Sequence, residues 1–331
     1  MGSVDDAVDA HRETVRVFAR PGGPLSPDGL HASTHNPAWF DGGDPTRQRR
    51  ALHRRLLDEY AAVHPGARDE RRAIVLAGPP GAGKSTVLAE VLGDDAPGWV
   101  RVDADEFKRA LLGEAIADGS YESFIKPEQV KTREADGEPF YPLELASLVH
   151  EESSLLANRL RAQLIAQGTN VVIDTVLSNP EKAEQLGVLL AQQKYEVEVI
   201  DVEVPFELSA ARIASRWRKS YEEALEHADG LGGRWVPSEY AREVFAGAGG
   251  QSRSEESALR LAQTCPAVLR YRVFRTPASD APRVLDVELR RFEVGGALLT
   301  REAAETMRIA RAGTKHVTRP RGGSTERDFG R

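Results

Sequence analysis

Cysteine is almost missing from this chain: Cys265 stands alone among 331 residues. A single thiol closes no intrachain disulfide and builds no cysteine-based zinc site, so a reducing compartment is expected and Cys265 reads as a small buried apolar residue. Long hydrophobic runs are missing too. No apolar stretch approaches the roughly 20 residues that span a bilayer. Met1 to Ala10 carries three aspartates and no apolar block, which argues against a secretory leader and sets the expectation of a cytoplasmic protein without a membrane. Positive charge is not in excess, since 44 Lys and Arg face 51 Asp and Glu for a net charge of -7. A dedicated nucleic-acid binder is therefore not expected, and small anionic ligands are the better match. His31, His35, His53 and His64 lack metal-ligand spacing, so no metal is expected beyond one carried by a nucleotide.

A phosphate-binding signature is present. The run Gly78-Pro79-Pro80-Gly81-Ala82-Gly83-Lys84-Ser85-Thr86 fits the pattern G-x-x-x-x-G-K-[ST]. An apolar strand-like run from Ala73 to Ala77 precedes it and a helix-like start from Thr86 to Leu92 follows, the context the motif needs. Glycines let the backbone curl until its amides face a polyphosphate, and the helix N-terminus adds partial positive charge. Lys84 reaches the terminal phosphates, and the Ser85 hydroxyl is suited to ligate Mg²⁺. Gly78 through Thr86 are thus the expected nucleotide-binding residues, with Ser85 the metal ligand.

The chain divides by texture. Up to Arg72 it is rich in Pro, Gly, Arg and His, with one helix expected from Thr46 to Val63 between Asp44-Pro45 and His64-Pro65-Gly66. Strand-like runs then alternate with helical patterns: Trp99 to Asp103, Asn170 to Asp174, Val197 to Val202 and Val268 to Phe274. That alternation predicts an α/β fold, a parallel sheet with helices on both faces, which the phosphate loop makes one of P-loop NTPase or kinase type, carrying an N-terminal helical extension and a small C-terminal appendage. The expected division is an extension over 1–72, the kinase-type domain over 73–276, a strand and helix appendage over 277–312 and a disordered tail over 313–331.

Ligands of such sheets gather at the carboxyl ends of the strands. One strand runs into Asp103-Ala104-Asp105-Glu106-Phe107-Lys108. Asp105 is the expected base that takes a proton from an attacking hydroxyl. Asp103 either shares that site or caps the following helix. Another strand ends in Ile173-Asp174-Thr175, an acid suited to hold Mg²⁺ through water or to grip substrate. On the helix from Leu148 to Gln167, Glu152 borders the apolar stripe of Val149, Leu156, Leu160 and Leu164, whereas Glu151 points away to solvent. From Glu207 to Tyr221, Ile213, Trp217 and Tyr221 share one face while Arg212, Arg216 and Lys219 line up on another. Such a stripe is either a solvated face or a lid that brings guanidinium groups to the phosphate. Arg234 adds a cation on the Gly-flanked segment Gly232-Gly233-Arg234-Trp235-Val236-Pro237. Trp99, Trp217 and Trp235 read as packing groups.

In their order, these features resemble the zeta toxin family of bacterial kinases: a P-loop, a D-x-D-x-F-K segment, His150-x-Glu152 opening a helix, a strand ending in an acid, a lid helix with arginine and the later Arg234-x-x-Pro237. The likeness covers roughly Ala73 to Phe274. It implies ATP- and Mg²⁺-dependent phosphorylation of a hydroxyl on a UDP-amino sugar, chiefly UDP-N-acetylglucosamine. It also implies an antitoxin protein as partner, and the helix from Thr46 to Val63 either supplies that function in cis or braces the core. Lys84 and Ser85 match the ATP and Mg²⁺ loop, Asp105 the base, Arg216 and Arg234 the phosphate-holding arginines. Glu152 and Asp174 match the acidic substrate contacts, and Asp103, Lys108, Thr175 and Arg212 complete the expected substrate set. The match departs where Val176 replaces a hydroxyl and Ser178 an Arg or Lys. Losing a donor to a buried substrate group costs on the order of 1 to 3 kcal/mol, enough to change the acceptor. NAD or a small antibiotic is therefore an alternative acceptor, and a nucleotide-binding switch an alternative function.

Overall fold

The computed structural model describes residues 4–227 and 230–300, together with 302, 303, 305–307 and 309. In chain order, helix α1 (Val4–Phe18) is followed by a two-residue hairpin of β1 (Phe40–Asp41) and β2 (Asp44–Pro45) and by α2 (Arg47–Ala62). The α/β core comprises β3 (Arg72–Ala77), α3 (Lys84–Leu92), β4 (Val100–Val102), α4 (Ala104–Ala117), α5 (Glu128–Ala135), α6 (His150–Gln167), β5 (Val171–Asp174), α7 (Pro180–Gln192), β6 (Glu196–Glu203), α8 (Phe206–Glu226), α9 (Ser238–Val244), α10 (Arg253–Thr264) and β7 (Val268–Arg275). The antiparallel strands β8 (Val284–Arg290) and β9 (Leu299–Thr300) follow.

The main sheet runs β4-β5-β3-β6-β7-β8-β9, and its first five strands are parallel. Strand β3 is central, and five of its six residues are buried because both faces are covered. Ile74 and Leu76 pack with Val87, Leu88, Trp99, Val172, Ile200 and Val202 on one face. Ala73, Val75 and Ala77 join the larger core of α4, α6, α7 and α10 on the other. After β3 the chain crosses to one side of the sheet, and after β5 it crosses to the other, so β3 borders the switch point where α/β sheets open a ligand crevice.

Local chemistry sets the helix ends. The Thr46 hydroxyl accepts from Arg49 N–H to start α2, Asn179 accepts from Lys182 N–H ahead of Pro180 in α7, and α6 stops at Gly168 with φ +86°. Helix α1 was not anticipated from the sequence. Its stripe of Val8, His11, Val15 and Phe18 has helical spacing, but the histidine in it hides the period; Val8, His11 and Val15 are all buried. Within the expected strand and helix appendage, Thr300 pairs in β9, while residues 302, 303, 305–307 and 309 are helical. The expected tail over 313–331 lies outside the described residues. Among the described residues no helix is long and apolar enough to cross a membrane.

Candidate active site

The P-loop joins β3 to α3 at the carboxyl edge of the sheet. Gly78, at φ +133°, lies so close to the Val202 carbonyl that a Cβ there would collide with it, and Gly83 turns into α3 at φ +95°. Helix α8 buttresses the loop: Ser209 Oγ donates to the Pro80 carbonyl at 2.6 Å, and Arg212 Nη1 donates to the carbonyls of Gly81 and Ala82 at 3.3 Å each. Arg212, expected among the substrate contacts, is thus bonded to the P-loop itself. Lys84 Nζ donates to the Gly78 carbonyl at 2.7 Å. Burial pushes its ammonium pKa down while Asp174 and Asp103 oppose the shift, leaving a charge that is poorly hydrated and ready for phosphate. The Ser85 hydroxyl is exposed at the first turn.

Asp103 caps α4, accepting the Asp105 N–H at 2.9 Å, so the capping role is real and keeps its second oxygen facing the crevice. Burial raises its pKa, as do the nearby Asp174 and Asp105. Asp105, in the first turn of α4, pairs with Arg234 Nη1 at 2.9 Å and Lys108 Nζ at 3.1 Å. Burial disfavours its charge, but Arg234 and Lys108 outweigh burial and hold the carboxyl below its ordinary range. It is ionised at neutral pH, as a proton acceptor must be. Arg216 is exposed, within electrostatic reach of Asp105 and Arg234. The other stripe residue, Lys219, is a surface charge 3.8 Å from Glu223. Burial lowers the pKa of His150, assisted by Lys108, so the imidazole beside this group stays neutral. Arg234, Lys108 and Arg216 thus gather about this carboxylate at the crevice, a setting suited to proton removal from a hydroxyl and charge stabilisation on a transferring phosphoryl group.

Asp174 ends β5 as expected, and its partner is a residue the sequence reading passed over. Arg101 Nη2 lies 2.5 Å from Asp174 Oδ2, 3.3 Å from Asp103 Oδ2 and 3.2 Å from Ser85 Oγ. Alternation along β4 already put Arg101 on the side of Asp103. A hydroxyl and two carboxylates form the hard-oxygen set that suits Mg²⁺, so these side chains fit the metal that accompanies a nucleotide. Beyond Asp174, the Thr175 hydroxyl accepts from Leu177 N–H at 3.1 Å and so shapes its own loop.

Glu152 is placed differently from its expected role as a cleft acid. It is fully buried, with Arg49 donating to both oxygens at 2.6 and 2.9 Å and His53 Nε2 lying 2.6 Å away. Burial opposes its charge, yet the bonds from His53 and Arg49 bring the carboxyl down to about 2. The helix wheel rightly separated buried Glu152 from exposed Glu151. What covers it comes from α2, a hundred positions upstream, and α2 is thereby a brace on the core. Two further groups were not anticipated. His11 bridges Glu138 at 2.7 Å and Glu144 at 3.0 Å, fastening α1. Asp201, Glu203 and Glu255 form a buried acid cluster under β6 and α10. There burial and the mutual repulsion of the acids raise Asp201 well above its ordinary value, and Glu203, despite a bond from Ser252, to about 7. Trp217 and Cys265 are buried packing groups, as expected.

The family described as Zeta toxin matches residues 57–116 and 130–270, more than half of the chain. Two solved complexes of AvrRxo1-ORF1 with AvrRxo1-ORF2 are similar in fold. The one with sulphate ions has a TM-score of 0.53 at 23% identity, and the native one 0.52 at 21%. Each likeness covers 81% of this chain and 74% of the other. No curated protein matches the chain.

Proposed function

The chain belongs to the zeta toxin family and is a phosphotransferase, and from that premise we propose that it moves the γ-phosphoryl group of ATP onto a hydroxyl of a nucleotide-linked metabolite. The observation that carries this reading is the Asp105 carboxylate, ionised by Arg234 and Lys108 and set at the same strand edge as Lys84 and the P-loop. In the proposed step Asp105 takes the proton of the acceptor hydroxyl as its oxygen bonds to the γ-phosphorus, and the bond to the leaving ADP oxygen breaks. As phosphate arrives, Arg234 shifts its pairing from Asp105 toward it, which frees the base at the moment it is needed. Arg216 adds a second cation, and Lys84 with the loop amides holds the β- and γ-phosphates. Mg²⁺, held by Ser85 and Asp174, would neutralise phosphate charge.

UDP-N-acetylglucosamine is the acceptor that the family resemblance implies. Two observations weigh against that acceptor and keep NAD or a small antibiotic as a second reading: Glu152, the acid matched to the sugar contact, is committed to Arg49 and His53, and Val176 carries no hydroxyl. A toxin role follows the family, and a partner protein that covers the cleft is in keeping with the AvrRxo1-ORF1 structures, each of which holds a second protein, AvrRxo1-ORF2. The test is incubation with Mg-ATP and a metabolite extract, followed by mass spectrometry for a compound that gains one phosphate. A phosphorylated UDP-sugar supports the first acceptor and phosphorylated NAD the second. ATP binding with no modified small molecule would overturn the metabolite-kinase reading in favour of a switch.

A further inference from the structure

Three oxygens that suit a metal converge on one nitrogen of this chain. Ser85 Oγ, Asp103 Oδ2 and Asp174 Oδ2 lie 3.2, 3.3 and 2.5 Å from Arg101 Nη2. From this geometry we propose that Arg101 is an internal counter-cation that competes with Mg²⁺ for the metal position and must swing away when the metal-nucleotide complex binds. The proposal rests on the kinase reading of the same site.

The surroundings of Arg101 suit such a movement. Its backbone is fixed, because β4 pairs with β5 and the Tyr60 hydroxyl donates to the Arg101 carbonyl at 2.5 Å. Only the side chain has to move. Between α2 and α4 lies a cavity of about 570 Å³ that Arg101 itself lines together with Glu59, Tyr60, His64 and Glu106. The carboxylates of Glu59 and Glu106 can host a guanidinium there, beside Arg109, which lines the same cavity. A cation also has a use at the first position: Asp103 and Asp174 repel each other at the end of the sheet, and Arg101 pairs with both. The arrangement makes nucleotide-free protein a poor binder of free metal. Charge neutralisation then passes from Arg101 to Mg²⁺ only when phosphates arrive to share the metal.

The test is a titration of nucleotide-free, full-length protein with Mn²⁺, read as the loss of the free-ion electron paramagnetic resonance signal. Arg101→Ala and Arg101→Gln should both bind Mn²⁺ about 10- to 100-fold more tightly than the parent, the range by which neighbours of a metal site change affinity. Asp174→Asn in the Arg101→Ala background should return affinity to the parental level, which assigns the gain to this site. Equal or weaker Mn²⁺ binding by both folded Arg101 variants would overturn the proposal. So would a loss of ATP affinity above about tenfold in EDTA, on the same scale, because Arg101 would then be a phosphate ligand. ATP binding that is equal in the parent and in Lys84→Ala would instead sink the kinase reading, an outcome visible without any metal titration.

Discussion

Asp105 carries a charge kept in place by two cations, and this conflict defines its chemistry. A carboxylate tied to Arg234 and Lys108 is stabilised as an anion and weakened as a base until a phosphate competes for the arginine. Asparagine preserves the shape and one acceptor oxygen but removes the proton acceptor. Asp105→Asn should therefore keep Mg-ATP affinity within a few fold and lose about two to four decades of turnover, the range of a general base. Nucleotide titration and single-turnover rates measure the two quantities separately, and a matching loss of nucleotide affinity would move Asp105 into the metal shell. The identity and approximate place of this acid were legible in D-x-D-x-F-K. Its clamp was not, since Arg234 lies 129 positions away in sequence and nothing local distinguishes a pairing arginine from a solvated one.

At the level of elements, α1 and α2 are both fastened by buried charge. Glu152 holds α2 to α6 through Arg49 and His53, and its folded pKa of about 2 lies below the ordinary 4.5. A lowered acid contributes stability above its unfolded pKa, and that contribution disappears as pH falls from about 4.5 through about 2. Removing the carboxylate leaves Arg49 buried without its counter-ion, so Glu152→Ala should lose about 3 kcal/mol or more in urea unfolding at pH 7. A near-neutral result would make the triad a bystander. His11 works in the opposite sense. Burial disfavours its charged form, but Glu144 and Glu138 outweigh burial and raise its pKa above 6.5. Its stabilising charge is fully present below pH 6.5 and is lost as pH rises through the folded value. The urea midpoint should fall across that window in the parent and less steeply in His11→Gln; parallel slopes would remove His11 from the account.

On the scale of the whole molecule, nucleotide binding and folding are linked through the P-loop. Ligand at 100 times its dissociation constant stabilises a native state by about 2.7 kcal/mol, so Mg-ATP should raise the melting temperature by several degrees. Lys84→Ala should abolish that shift while melting at the parental temperature without ligand, because the ammonium bonds only to its own loop. A large drop in the ligand-free melting temperature would show that Lys84 supports the core.

The sequence by itself determined what depends on near neighbours. Glycine spacing dictates the phosphate loop, apolar alternation dictates the strands, and an acid after a strand dictates a helix cap. The expected strands at Ala73, Trp99, Asn170, Val197 and Val268 all appear within one or two residues. Tertiary structure alone decided which charges meet. A helical or strand period states that Glu152 faces inward and that Arg101 shares a side with Asp103, but it is silent on what lies opposite. That depends on α2 being laid over α6, and on β4 and β5 lying side by side although 68 residues separate their ends. Burial then converts such meetings into function: at low dielectric the partner a charge finds, rather than the charge itself, sets whether it braces a helix, holds a metal or accepts a proton.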